Sequence, residues 1–148
     1  MKRIFPLLPV TIVAALSASW FAVTLSAHHS AAAFYDSSKT VEIRGVVTSW
    51  NFRNPHPYLH VEVTDAKGAK NDWALEFVGP VRLSKVGWSK ETFTPGEVIS
   101  AKGHPSRAEG TFGLSPLSVS RADGSIIPGS GFSGDLTPEA IARGRGGN

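Results

Sequence analysis

Five histidines, His28, His29, His56, His60 and His104, carry most of the chemical potential of this 148-residue chain. If the chain is cut after Ala27, the new α-amino group, the His28 imidazole and the amide or ring nitrogen of His29 form a compact set of nitrogen donors. Such a set suits Cu(II), which binds nitrogen ligands most strongly among divalent first-row ions, and imidazole also serves Zn(II). One more imidazole from the fold, from His56, His60 or His104, would complete a brace-like copper or zinc site. The candidate metal ligands are therefore His28, His29, His56 and His60. Spacing limits the set. On an extended segment of about 3.3 Å per residue, His56 and His60 stand roughly 13 Å apart, too far to share an ion. Pro55 and Pro57 forbid the regular helix that would bring them together. The plainer alternative has His56 hydrogen-bonded within the turn Asn54-Pro55-His56-Pro57 and His60 as a half-exposed strand residue.

A second lead is aromatic. Trp50, Phe52, Tyr58, Trp73 and Trp88 are many large rings for a small domain, and Arg44 and Arg53 lie near them in sequence. Rings and cations on a β face can stack single-stranded nucleic acid. That reading needs many cations to hold phosphate, and the chain has 15 Lys+Arg against 12 Asp+Glu, of which Lys2 and Arg3 belong to the leader. Nucleic acid is therefore not an expected partner. A protein or small ligand on the same face requires only an apolar patch with a polar rim. The expected ligand or partner face comprises Trp50, Asn54, His56, Tyr58, His60 and Glu62.

Enzymatic constellations are sparse. The absence of cysteine excludes disulfides, thiolate metal sites and a Cys nucleophile. No nucleophile elbow, phosphate-binding loop or His-Glu-x-x-His run is present. Gly129-Ser130-Gly131-Phe132-Ser133-Gly134 has the glycine spacing of a dinucleotide fingerprint but lacks its βαβ setting, so it reads as a flexible linker. Glu62 and Glu76 are candidates to face each other across two strands, as paired carboxylates do in hydrolases. Without a nameable cleft, solvation is the better expectation for them, and no catalytic residue is assigned.

The elements that position these residues begin after a leader. Lys2 and Arg3 precede an uncharged run, from Ile4 to Ala27, that ends in small residues, the pattern of a secretory signal peptide. Leu25 and Ala27 suit cleavage before His28. An uncleaved anchor is the alternative, since about 20 apolar residues cross a bilayer, although Pro6 and Pro9 and the cluster Ser17-Ala18-Ser19 argue against a permanent span. Both readings place the globular part outside the cytoplasm, periplasmic or secreted.

After a linker over 28–39, residues 40–50 alternate apolar and β-branched with polar types, a strand. Its alternation slips at Gly45-Val46-Val47, which marks a bulge or bend. Residues 58–65 form a second strand, with Leu59, Val61 and Val63 on one face and His60, Glu62 and Thr64 on the other. Residues 72–78 form a third, in which Trp73, Leu75 and Phe77 share a face. From Pro80 to Trp88 the period of two is lost. Pro80 suits a first helical turn and Gly87 a C-terminal cap, so a short helix is expected. Fourth and fifth strands follow over 97–102 and 111–120, the last with Leu114, Leu117 and Val119 toward the core and with Pro116 demanding an edge or a bulge. Five strands with one short helix between the third and fourth is the order of an OB-like β-barrel, a mainly β fold; a generic open sheet is the alternative. The expected organisation is leader 1–27, linker 28–39, barrel 40–123 and a Gly-rich tail over 124–148 with one short helical signal at Thr137-Pro138-Glu139.

Several of these residues also occur together in a known family: His28-His29-Ser30 after the leader, Gly45-Val46-Val47, Trp50 with Asn54-Pro55-His56, and Gly87-Trp88-Ser89-Lys90 before Pro95-Gly96-Glu97. Over 27–123 the chain resembles the small exported bacterial proteins of domain of unknown function family 6152. The Gly-rich extension after Pro128 lies outside that resemblance. The likeness implies export and a compact β domain, and it assigns no catalytic residue. The expectation is an exported, non-enzymatic binding module for a partner or small ligand, with a copper- or zinc-binding protein as the alternative.

Overall fold

The computed structural model describes residues 31–131. His28, His29, the leader and the helical signal after Thr137 lie outside the described residues. Alternation of apolar and polar side chains produces five strands: β1 (Val41–Asn51), β2 (Tyr58–Thr64), β3 (Lys70–Glu76), β4 (Val98–Pro105) and β5 (Gly113–Arg121). A helix, α1 (Pro80–Ser84), stands between β3 and β4, and a 3-10 turn (Ala31–Ala33) precedes β1. The strands close into a barrel in the order β1-β2-β3-β5-β4. All pairs are antiparallel except β3–β5, which run parallel through Ala74–Gly113 and Leu75–Leu114. This is the OB-type order read from the sequence. Among the described residues no helix is long and apolar enough to cross a membrane.

Leu59, Val61, Leu75, Ile99, Leu114 and Val119 are fully buried, and every one is an inward position of the period-two pattern. At 11 residues, β1 serves two neighbours, pairing with β4 from Val41 to Val46 and with β2 from Val46 to Asn51. The register along β2 shifts between Val47 and Ser49, so the bulge falls at Thr48, three residues past the glycine. That shift reverses the phase of β1. Ile43 and Val47 point inward before it, and Trp50 packs against the core after it. A second shift, between Lys102 and Gly103, sets Ser118 and Pro116 opposite them and leaves Leu117 half-buried as the extra residue. Pro116 is thus accommodated by a bulge, and the inward place expected for Leu117 is lost to the same irregularity.

The helix is shorter than the segment expected for it. Gly87, at φ +90°, reverses the chain, and the Trp88 amide donates back to the Leu83 carbonyl at 3.1 Å. Leu83 and Trp88 are buried by this turn, whereas Val81 stays exposed. Beyond residue 123 the chain remains packed on β5. The Ile127 amide donates to Val119 O at 2.8 Å, and the buried Ser130 hydroxyl accepts the Val119 amide at 2.8 Å.

Candidate functional site

The outer face of β2 and β3 carries Tyr58, His60 and Glu62 opposite Glu76, Ala74 and Asp72 in register. Glu62 and Glu76 therefore do not face each other. Four residues of strand separate their register positions, roughly 13 Å, and Glu62 binds Lys70 at 2.8 Å, which raises the Lys70 pKa. His60 Nδ1 donates to Asp72 Oδ2 at 2.9 Å. His104 Nδ1 donates to the Lys39 carbonyl at 2.8 Å. These are ordinary surface arrangements.

Glu76, the last residue of β3, is different because three segments converge on its carboxylate. His56, in the exposed loop between β1 and β2 that holds a cis Asn54–Pro55 peptide, donates Nδ1–H to Oε1. Tyr35 donates its hydroxyl to Oε2 at 2.6 Å. Tyr58, directly opposite Glu76 in register, is a second phenol in the carboxylate's reach. Burial, and then the Glu76 carboxylate beside them, raise the pKa of both tyrosines above the ordinary 10.0.

Tyr35 reaches Glu76 because the segment read as a linker is pinned to the loop between β4 and β5. Tyr35 forms a bridge with Ser106, the Arg107 amide donates to Phe34 O at 2.8 Å, and the Asp36 amide donates to Pro105 O at 2.8 Å. Asp36 in turn receives the Ser38 hydroxyl at 2.6 Å, and this bond, with Lys39 and Arg107 nearby, lowers its pKa to about 2. Between the segment, the end of β3 and the 106–113 stretch lies a cavity of about 240 Å³, lined by Phe34, Tyr35, Glu76, Ser106, Arg107 and their neighbours.

A phenol whose folded pKa exceeds its unfolded value contributes stability that is complete below pH 10 and is lost as pH rises. Wild-type stability is therefore expected to fall on the alkaline side, and Tyr35→Phe to flatten that fall while costing about 1 kcal/mol at neutral pH. Urea unfolding from neutral to alkaline pH measures both. An unchanged alkaline slope in the variant would contradict the assignment.

Of the expected face, the structure brings His56 and Tyr58 together and sets His60 and Glu62 on other partners. Trp50 is partly buried and packs against the core. Its ring packs on Phe52, Phe77, Trp88 and Phe93 at centroid distances of 5.1–5.8 Å, and its indole N–H donates to Ser89 O at 2.9 Å. Asn54 is exposed in its loop. Tyr35 was not singled out from the sequence, and Glu76 was considered only as a partner for Glu62. The aromatic pair Phe34-Tyr35 in an otherwise small-residue segment, followed by the turn-forming Asp36-Ser37-Ser38, was the available signal. Among the described residues no three His, Asp or Glu side chains are grouped to hold a metal ion.

A search of curated proteins returns no match. A family model described as "Family of unknown function (DUF6152)" matches residues 15–115, a span that includes Tyr35, His56, Glu76, the 106–113 stretch and all of β1 to β4. With more than half of its length matched, the chain belongs to the DUF6152 family.

Proposed function

We propose that this chain is an exported, non-enzymatic binding module that holds a small ligand where Tyr35, His56, Tyr58 and Glu76 meet the cavity beside Arg107. The observation that carries the reading is the convergence of three separate segments on one half-buried carboxylate at the cavity wall. OB-type barrels bind along strands 2 and 3 and the loops that follow strands 1 and 4, and the site uses those parts of this barrel. That support is an analogy of fold. Exposed rings also favour this place, because Phe34, 71% exposed, lines the cavity while Trp50 and Trp88 are packed inward. Export rests on the leader and predicts that protein recovered from the periplasm begins at His28.

The test is amide NMR of the labelled domain against small probes of four kinds: amines, carboxylates, neutral polyols and phosphates. Saturable shifts at 33–36, 56–58, 76 and 106–113 are the expected result. Shifts that map to α1 or to the outer face at His60 would overturn the location.

The copper or zinc alternative keeps one support. Glu76 holds His56 through Nδ1, which turns Nε2 outward as metal-bound imidazoles require. Its remaining ligands, His28 and His29, lie outside the described residues. One copper retained in native mass spectrometry of the periplasmic protein, and lost in His56→Ala, would favour it over the small-ligand reading.

A further inference from the structure

Two side-chain donors from separate segments are spent on Glu76. Tyr35 donates to Oε2 and His56 Nδ1 to Oε1, and the Tyr58 hydroxyl lies within reach of the same group. Burial and the adjacent carboxylate keep both phenols protonated. A donor turned inward leaves lone pairs outward, so the Tyr35 oxygen, which lines the cavity, meets an incoming group as an acceptor.

Charge points the same way. Arg107, the other ionised residue of the cavity wall, is already engaged: its Nε donates to Ala32 O at 2.9 Å and its Nη2 lies 3.6 Å from Asp36 Oδ1. Asp36 also holds Lys39 at 3.3 Å. Among the ion pairs of the described residues, Glu76 has only His56, which is cationic only when protonated. An anionic ligand would meet this carboxylate head-on. A neutral hydroxyl would satisfy one or two acceptors and leave the charge uncompensated. The exposed ring of Phe34 on the same wall adds a surface that attracts cations.

Building on the binding reading above, we propose that the ligand presents a protonated primary amine, an alkylammonium whose N–H groups bond the Glu76 carboxylate and the Tyr35 hydroxyl oxygen at the cavity wall. The aliphatic part of the ligand runs toward Phe34 and Ala33. A free amine and an amine on a larger molecule share this chemistry, and the small probe isolates it.

The experiment titrates the intact wild-type protein by amide NMR with butylammonium, tetramethylammonium, butanol and butyrate. Butylammonium is expected to shift the amides of Tyr35, Glu76 and Gly113 saturably, with affinity at least about tenfold above each of the other three, as a charge-assisted hydrogen bond implies. Glu76→Gln should weaken butylammonium by about tenfold or more, and Tyr35→Phe by a smaller factor. Butanol or butyrate binding at these amides as tightly as butylammonium would overturn the ligand class and leave the binding site standing. Equal binding of tetramethylammonium would overturn the class too, since that ion has charge and no N–H. No response at these amides to any of the four, and none to the polyol and phosphate probes, would overturn the binding reading itself. Should Glu76→Gln fail to fold, Tyr35→Phe and the wild-type probe series decide the matter.

Discussion

Replacing Trp88 by alanine is expected to lower the stability of the domain by about 3–5 kcal/mol, the range for removing a buried tryptophan. Trp88 is 4% exposed and stands at the centre of a ring cluster, with centroids 5.0 Å from Phe77, 5.4 Å from Phe93 and 5.8 Å from Trp50. Its indole N–H also donates to Pro128 O at 2.7 Å, which ties the segment after β5 to the turn after α1. A small domain holds about 5–15 kcal/mol in all, so the variant should be close to unfolding at room temperature. Trp88→Phe keeps a ring in the cluster and loses mainly the hydrogen bond, and should cost about 1–2 kcal/mol. Urea unfolding with an unchanged slope reports these values as shifts of midpoint. A Trp88→Ala variant within about 1 kcal/mol of wild type would show that the rings are not a load-carrying core. The effect reaches the site as well, because Phe77 directly follows Glu76. Loosening the ring cluster loosens the residue that sets where the carboxylate stands.

The barrel was legible because its signal is local. Leu59, Val61 and Leu75 alternate within single strands, and Pro80 and Gly87 punctuate a short helix at fixed offsets. The position of Trp50 was not legible, although its type was conspicuous. Its orientation depends on a bulge at Thr48, and one extra residue transfers every later side chain to the opposite face. The site suffered from the same limit. His56 and Tyr58 could be chosen by type and by their proline-rich setting, but Glu76 gains its meaning only from the register that puts it opposite Tyr58. Tyr35 gains its meaning only from the bridge to Ser106, 71 residues onward in the numbering. The first of these pairings is set by strand register and the second by a contact distant in sequence. The alternation within a strand does not encode them, which is why Glu62 and Glu76 stood as candidates to face each other, whereas Asp72 lies opposite Glu62 and Tyr58 opposite Glu76.

Gly45→Ala is expected to cost about 3 kcal/mol, at the upper end of the range for overpacking a core, although the substitution adds a single methyl group. Gly45 sits just before Val46, where β1 passes from its pairing with β4 to its pairing with β2. A Cβ there would lie 2.3 Å from the Glu62 carbonyl oxygen and 2.8 Å from a Val61 methyl. The first of these is backbone of a paired strand, so it cannot rotate aside, and relief requires β2 to move off β1. Gly45, where the alternation slips in the sequence, is therefore a position at which β1 and β2 approach too closely for a side chain. Gly68→Ala supplies the control. Gly68 has a φ of +83° and nothing within 4 Å of an added Cβ, so its substitution costs only the left-handed backbone, about 1–2 kcal/mol. Urea unfolding of the two variants side by side separates overlap from backbone conformation. If Gly45→Ala proved no more costly than Gly68→Ala, the close crossing of β1 and β2 would not be a constraint on this barrel. If it is the costlier, the shift should also be felt at Tyr58, which lies on the displaced strand opposite Glu76, and binding at that carboxylate should weaken along with stability.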